Sequence, residues 1–107
     1  MNFKVFTIPN FDKEFKRLAK KYHSLKKEYG NLISSLEKNP TQGTKLGNEC
    51  YKIRFSISSK GKGKSGGARI ITHVHVSENS VYLLSIYDKS EIPNISDLEI
   101  SQLLQDI

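Results

Sequence analysis

Apolar and polar side chains alternate without a break through Tyr51-Lys52-Ile53-Arg54-Phe55-Ser56-Ile57-Ser58. A period of two residues is the pattern of a β-strand with one buried and one exposed face. The exposed face carries Lys52 and Arg54. The segment therefore predicts a sheet that presents fixed positive charges to the solvent.

Two further strands follow this one, from Ala68 to Val76 and from Ser80 to Tyr87, joined by a three-residue hairpin turn. Side chains at alternate positions share a face, and neighbouring strands lie about 4.8 Å apart. We therefore expect Arg69 to lie alongside Lys52 and Arg54. The face that carries Arg69 is predicted to hold Arg69, Ile71, His73 and His75.

The first part of the chain predicts a short strand and a helical hairpin. Residues 3–8 alternate as a strand does. Apolar residues then recur at helical spacing from Phe11 to Tyr22 and from Leu25 to Leu36. Asn10 and Ser24 are the expected N-caps of the two helices.

Near the end of the chain, Ser96 and Glu99 have the spacing of a capping box and predict a short last helix. The order of elements is strand, two helices, three strands and a helix. It predicts an α+β fold in which an antiparallel sheet, made of the N-terminal strand and three C-terminal strands, packs on a two-helix hairpin. A chain of 107 residues has room for one core, so we expect a single domain, 1–107.

The composition favours an acidic partner. The formal net charge is +6, and sixteen lysines and arginines stand against five acids between Met1 and Arg69. A basic surface of this kind suits nucleic acid. The single cysteine, Cys50, can form neither an internal disulfide nor a zinc site alone. No apolar run reaches the roughly 20 residues of a membrane span, and no signal-peptide pattern is visible. We therefore expect a cytoplasmic protein with no membrane partner, no metal and no small-molecule cofactor.

A glycine- and lysine-rich connection runs from Ser58 to Arg69. It is open to three interpretations: a solvated hairpin loop, a nucleotide-binding P-loop, or a loop that contacts the backbone of RNA or DNA. The spacing argues against a P-loop, because the glycine required five residues before Gly63 is replaced by Ser58 and the segment leads into a strand. In the third interpretation the phosphate-binding side chains are Lys60, Lys62 and Lys64.

A cluster of cations on a sheet can bind a phosphodiester and stabilise the added negative charge of its pentavalent transition state. RNA cleavage also needs a base that takes the proton of the 2′-hydroxyl and an acid that protonates the departing 5′-oxygen. Asp88 and Lys89 stand where the last strand leaves the sheet, a frequent place for functional side chains. Tyr87 is a candidate for positioning or for stacking on a base. The candidates for proton transfer are Lys52, His73, His75, Asp88 and Lys89.

Three segments match a known family. They are Cys50-Tyr51-Lys52-Ile53-Arg54-Phe55, then Lys62-Gly63-Lys64-Ser65-Gly66-Gly67-Ala68-Arg69-Ile70-Ile71, then Val81-Tyr82-Leu83-Leu84-Ser85-Ile86-Tyr87-Asp88-Lys89-Ser90-Glu91. In these segments the chain resembles the RelE/ParE superfamily of bacterial type II toxin–antitoxin systems, in its RelE/HigB-like branch. The resemblance extends over nearly the full length, and the order of elements is also the family's.

The resemblance implies a fold, an activity and partners. It implies a sheet whose concave face holds the active site, in a toxin that enters the ribosomal A site and cuts mRNA there. The cut uses the 2′-hydroxyl as nucleophile and no metal, and the implied partners are a cognate antitoxin, the ribosome and mRNA. Many RelE-type enzymes carry a base-stacking tyrosine in the C-terminal segment. Here Ile92, Asn94 and Ile95 occupy it, and Tyr87 is the expected substitute.

The same resemblance assigns roles to residues. Arg69 matches the transition-state stabiliser, and Lys52 and Arg54 match basic catalytic residues on a strand. The predicted catalytic set is Lys52, Arg54, Arg69, Asp88 and Lys89. The predicted substrate-binding set is Lys60, Lys62, Lys64, His73 and Tyr87.

Two other functions fit the sequence. One is a ParE-like toxin that inhibits gyrase, and the other is a catalytically silent regulator that binds RNA or an antitoxin. The basic residues on both strands favour the nuclease over the gyrase inhibitor.

Overall fold

The computed structural model describes residues 2–60 and 67–107. Eight regular elements lie in these ranges, along with two short 3₁₀ turns at Ser58–Lys60 and Val76–Glu78. The helices are α1 (Pro9–Lys21), α2 (Leu25–Lys38) and α3 (Asp97–Leu104). The strands are β1 (Lys4–Thr7), β2 (Thr44–Gly47), β3 (Cys50–Phe55), β4 (Ala68–His75) and β5 (Ser80–Asp88).

The five strands form one sheet in the order β1-β5-β4-β3-β2. β2, β3, β4 and β5 pair antiparallel, whereas β1 pairs parallel to β5. The α+β class, the helical hairpin and the short last helix are confirmed, but the sheet is mixed rather than antiparallel. A parallel neighbour needs a long connection, and here everything from α1 to β4 lies between β1 and β5 in the chain. Side-chain alternation carries no information about strand direction, so the sequence could not reveal this pairing.

The strand β2 was not predicted. Only Leu46 of its four residues is even partly buried, so it lacks the alternation that identifies β3. It is an edge strand joined to β3 by the pair Asn48 and Glu49, both of which have positive φ values of 52° and 60°. Two successive residues with positive φ are typical of the two-residue turn whose twist best matches that of the two strands of a hairpin.

The core lies between the helical hairpin and one face of the sheet. That face is marked by a cross-strand row in which Ile53 pairs with Ile70 and Ile70 pairs with Ile86, and all three are buried. The two helices of the hairpin contribute five buried side chains: Phe11, Leu18, Leu25, Leu32 and Leu36. The opposite face carries the cations of β3 and β4 and is covered in part by α3.

Beyond the end of β1, side chains from the start of α1 make the hydrogen bonds to the edge of β5. The Nδ2 of Asn10 donates a hydrogen bond to the carbonyl of Leu84 at 3.0 Å. The Oε1 of Glu14 accepts from the Ser85 hydroxyl at 2.8 Å and from the Ile86 amide at 3.3 Å. Burial raises the pKa of Glu14, and these hydrogen bonds oppose the rise. The exposed backbone of this edge is thus satisfied by side chains rather than by a strand.

The predicted helix caps fared differently. The capping box at the start of α3 is confirmed, since the Glu99 amide donates to the Ser96 hydroxyl at 3.1 Å and the Ser96 amide donates to Glu99 at 3.2 Å. Asn10 is not an N-cap, because α1 begins one residue earlier at Pro9. Ser24 does precede α2, but its hydroxyl contacts Glu28 and Ser59 instead of capping the helix.

Within the described ranges, every helix is too short and too polar to cross a lipid bilayer.

Candidate active site

A polar cleft of about 370 Å³ opens on the cationic face of the sheet. Its floor is formed by β3, β4 and β5, and its walls by β2 and by the chain that follows β5. None of the described residues that line it is acidic. The residues that line it are Thr44, Lys52, Arg54, Arg69, Tyr87, Lys89, Pro93 and Asn94.

Strand register brings the charged side chains together. Arg54 on β3 pairs directly with Arg69 on β4, which in turn pairs with Tyr87 on β5. Lys52 lies two residues from Arg54 and therefore shares its face. The expected neighbourhood of the three cations is confirmed by this register.

Arg69 is a buried cation. Only 5% of the residue is exposed, and its Nη1 donates a hydrogen bond to the carbonyl of Ala68 at 3.1 Å. A guanidinium cannot lose its charge in a protein, so this site holds a permanent positive charge partly removed from water. Such a charge interacts more strongly with an oxyanion than a solvated lysine does.

Tyr87 lies beside Arg69 and is 3% exposed. Burial raises the pKa of its hydroxyl, which the nearby Arg69 charge opposes. Among the described residues the hydroxyl has no partner in hydrogen-bond geometry, although the backbone of Ile95 lies close by. The ring of Tyr87 lines the cleft, while its hydroxyl oxygen is itself shielded from solvent.

The wall after β5 supplies Lys89 and Asn94. The amide of Lys89 donates to the carbonyl of Gly67 at 3.2 Å, which fixes its backbone beside the start of β4. Across the cleft, the Nζ of Lys52 donates to the Oδ1 of Asn94 at 3.4 Å. Lys52, on the floor strand β3, and Lys89, on the wall after β5, thus reach the cleft from different elements.

Asp88, which the sequence placed in the catalytic set, does not line the cleft. The last strand extends one residue further than predicted, so alternation turns Asp88 to the helix side, away from Tyr87. Its carboxylate is 0% exposed and accepts hydrogen bonds from Tyr22 and Ser90. These contacts are those of a residue that stabilises the fold.

His73 and His75 are also outside the cleft. His73 is four residues from Arg69 along β4, about 13 Å at the rise of an extended strand. Its Nδ1 lies 3.0 Å from the carbonyl of Asn48, in the turn between β2 and β3. Lys62 and Lys64 fall outside the described residues, as does the side chain of Lys60.

The family of this chain follows from a match over nearly all of its length. The family model described as the RelE toxin of the RelE/RelB toxin–antitoxin system matches residues 4–106. The chain belongs to the RelE toxin family. Its cationic cleft is therefore a feature of a RelE-type toxin.

Solved structures with the RelE fold resemble this chain as a whole. A mutant of the E. coli toxin RelE in the free state shares 15% identity, with 100% of this chain and 99% of that chain covered and a TM-score of 0.66. A conserved hypothetical protein of Helicobacter pylori shares 21% identity over 84% of this chain and 98% of its own, with a TM-score of 0.52. The intact E. coli RelBE toxin–antitoxin complex matches at 18% identity over 80% of this chain and 95% of that chain, with a TM-score of 0.50. At these identities the likeness shows the RelE fold alone.

Three residues of the RelE-type cleft were missed by sequence reasoning. Thr44 belongs to the edge strand that has no periodic signature, and Pro93 and Asn94 belong to the connection after β5. The Pro-Asn pair does mark a turn. Its position against Lys52 depends on the path of that turn, which no local pattern specifies.

Proposed function

We propose that this protein is the toxin of a type II toxin–antitoxin system and that it cuts mRNA in the ribosomal A site. The observation that carries this proposal is the cleft in which Arg69, Arg54, Lys52 and Lys89 converge with no acidic side chain among its described lining residues. A cleft of this charge attracts a phosphodiester. It disfavours a divalent cation, since metal sites of that kind are built from carboxylates, which supports a mechanism that uses no metal.

The buried guanidinium suits the transition state of phosphoryl transfer. Attack of the 2′-oxygen on phosphorus adds negative charge to the non-bridging oxygens before the 5′-oxygen departs and leaves a cyclic phosphate. Arg69 and Arg54, which are direct neighbours across two strands, can both face those oxygens. Preorganised cations aimed at such developing charge commonly account for 10²- to 10³-fold in rate.

Proton transfer requires other side chains. Arginine does not exchange its proton, so among the cleft cations the base and the acid are left to Lys52 and Lys89, with Tyr87 as the remaining ionisable group. An in-line displacement places the nucleophile and the leaving group on opposite sides of phosphorus. Lys52 projects from β3 in the floor of the cleft and Lys89 from the chain that follows β5, so the two proton-exchanging groups reach the cleft from different elements.

The partners follow from the family. Membership in the RelE family supports the ribosome as the body that presents mRNA to the cleft, and the net charge of +6 suits contact with ribosomal RNA. The solved E. coli RelBE toxin–antitoxin complex supports a cognate antitoxin as the protein that neutralises this chain.

The test is cleavage of a defined mRNA on translating ribosomes by the purified protein. We expect cuts at the A-site codon, unchanged by chelators, and a loss of at least about 100-fold in rate for Arg69→Ala because a transition-state cation is removed. Lys4→Ala is the matched control, since it removes one exposed positive charge from the far edge strand.

Intact mRNA in the presence of the folded wild-type protein would contradict the proposal. Inhibition of DNA supercoiling in that case would indicate a gyrase-directed toxin. Binding of RNA without cleavage would indicate a silent regulator.

A further inference from the structure

The chain that leaves β5, residues 88–94, forms one wall of the cleft and is also attached to α1 on the other side of the sheet. We call it the exit segment. Its first residue, Asp88, is buried against the end of α1, where the Tyr22 hydroxyl donates a hydrogen bond of 2.7 Å to Oδ2. Tyr22 is the C-cap residue that directly follows α1. The contact therefore joins a helix terminus to a strand terminus.

The same carboxylate organises the turn that follows it. Its Oδ1 accepts hydrogen bonds from the Ser90 amide at 2.9 Å and the Ser90 hydroxyl at 2.7 Å. The Asp88 carbonyl accepts from the amides of Glu91 at 3.0 Å and Ile92 at 2.9 Å. A carboxylate removed from water must keep such donors, so it specifies one conformation of the turn.

A second, solvent-exposed set of contacts lies at the next turn of the segment. Glu91 pairs with Arg17 at 2.7 Å and with Lys21 at 3.4 Å, both on α1. The hydrogen bond from Arg17 is the main reason that the pKa of Glu91 is lowered. Exposed pairs of this kind contribute little individually, so the buried contact carries most of the attachment.

The wall of the cleft and the attachment to α1 are made by alternate residues of one short segment. Asp88 faces the helices and Lys89, the next residue, faces the cleft, while Asn94 at the end of the segment receives the hydrogen bond from Lys52. We propose that Tyr22 and Asp88 are positioning residues, which clamp the exit segment to α1 and thereby hold Lys89 and Asn94 in place at the cleft. The effect of the clamp on catalysis rests on the nuclease activity proposed above. The existence of the clamp does not depend on that activity.

The clamp is tested by amide hydrogen exchange in the full-length protein. Tyr22→Phe removes only the hydroxyl that binds Asp88, and Tyr29→Phe is the matched control, because Tyr29 is a partly buried tyrosine of α2 packed on Phe11 and Phe15. Loss of a hydrogen bond to a charged group shifts a local opening equilibrium by about tenfold or more. We expect the amides of Glu91 and Ile92 to exchange about tenfold faster in Tyr22→Phe and at the wild-type rate in Tyr29→Phe. Equal exchange in the two variants would overturn the clamp.

The catalytic consequence is tested by combining Tyr22→Phe with Lys89→Ala in the ribosome cleavage assay. If the clamp acts through Lys89, Tyr22→Phe lowers kcat about tenfold with little change in KM, and it has little further effect once Lys89 is alanine. Effects that multiply in full, or no effect on kcat, would overturn the positioning role. If the wild-type protein cuts no mRNA, the nuclease proposal fails, and the exchange measurement still decides whether the clamp exists.

Discussion

Lys52 and Arg54 stand two residues apart on one strand, yet their chemistry differs. Both supply positive charge to the cleft, but only the lysine can give up a proton. The proposed mechanism needs both abilities. Exchanging the two residue types therefore separates charge from proton transfer.

We predict that Lys52→Arg lowers kcat by about 10²- to 10⁴-fold, because the charge is kept and a side chain proposed to exchange a proton with the substrate is lost. Arg54→Lys is the matched control and should lose less, since charge is the property required there. Single-turnover cleavage on programmed ribosomes measures both. Near-normal cleavage by Lys52→Arg would leave proton transfer to Lys89 or Tyr87.

Cys50 shows the opposite case of a reactive residue type made inert. It is completely buried at the start of β3, and burial raises the pKa of its thiol to about 11. The thiolate is the reactive form, so it is scarcely populated at neutral pH.

We predict that iodoacetamide labels Cys50 at neutral pH only after the protein is unfolded, as mass spectrometry can show. The raised pKa also means that the folded state holds its proton where the unfolded thiol has lost it. This contribution to stability is complete below the unfolded pKa and disappears as the pH rises towards 11. Denaturant unfolding should show that the free energy of unfolding of the wild type, relative to that of Cys50→Ala, falls as the pH rises towards 11. Rapid labelling of the native protein would contradict the prediction.

At the scale of elements, β2 matters through one glycine that precedes it. Gly43 has a φ of +101°, and a Cβ added there would lie 2.5 Å from the carbonyl oxygen of Lys52. At Gly43 the chain that leads into β2 therefore passes very close to the backbone of β3 at Lys52.

We predict that Gly43→Ala destabilises the fold by more than the roughly 1–2 kcal/mol that a positive φ alone costs an alanine. The excess arises because backbone atoms of β3 must move. Gly47→Ala is the matched control, with a φ of +94° but open space around the added Cβ. Chemical denaturation compares the two, and equal losses would show that the contact with Lys52 has no energetic weight.

The sequence could predict those elements whose burial is periodic. The alternation in β3 identified that strand and put Lys52 and Arg54 on one face, whereas most of β4 is buried on both faces and that strand was recognised together with the hairpin turn that joins it to β5. The short edge strand β2 and the parallel partner of β1 carry no such signal. Asp88 was assigned to the catalytic set but lies on the helix side of the sheet. β5 extends one residue further than predicted, and successive side chains of a strand alternate between the two faces.

Across the whole molecule, positive charge lies on both sides of the sheet. The outer faces of the helices carry many lysines, while the cleft lies on the other side of the sheet. In the proposed function, a body with a net charge of +6 contacts the ribosome largely through phosphates.

We predict that the KM for ribosomes rises steeply with salt while kcat changes little. For single-stranded RNA the log–log slope is roughly 0.7 per phosphate neutralised. Steady-state cleavage over a range of potassium concentrations measures it. A kcat that falls in parallel would place the salt-sensitive contacts in the transition state instead.

The parallel pairing of β1 with β5 has a consequence for synthesis of the protein. Lys4 must wait for Ser80 before its strand has a partner, and the cleft needs side chains from Lys52 to Lys89. Contacts so distant in the chain form late, as vectorial synthesis makes the first strand among the last to be paired. A nascent chain therefore has no assembled cleft until β5 and the exit segment have emerged, so the activity proposed for the cleft is absent while the preceding elements are being made.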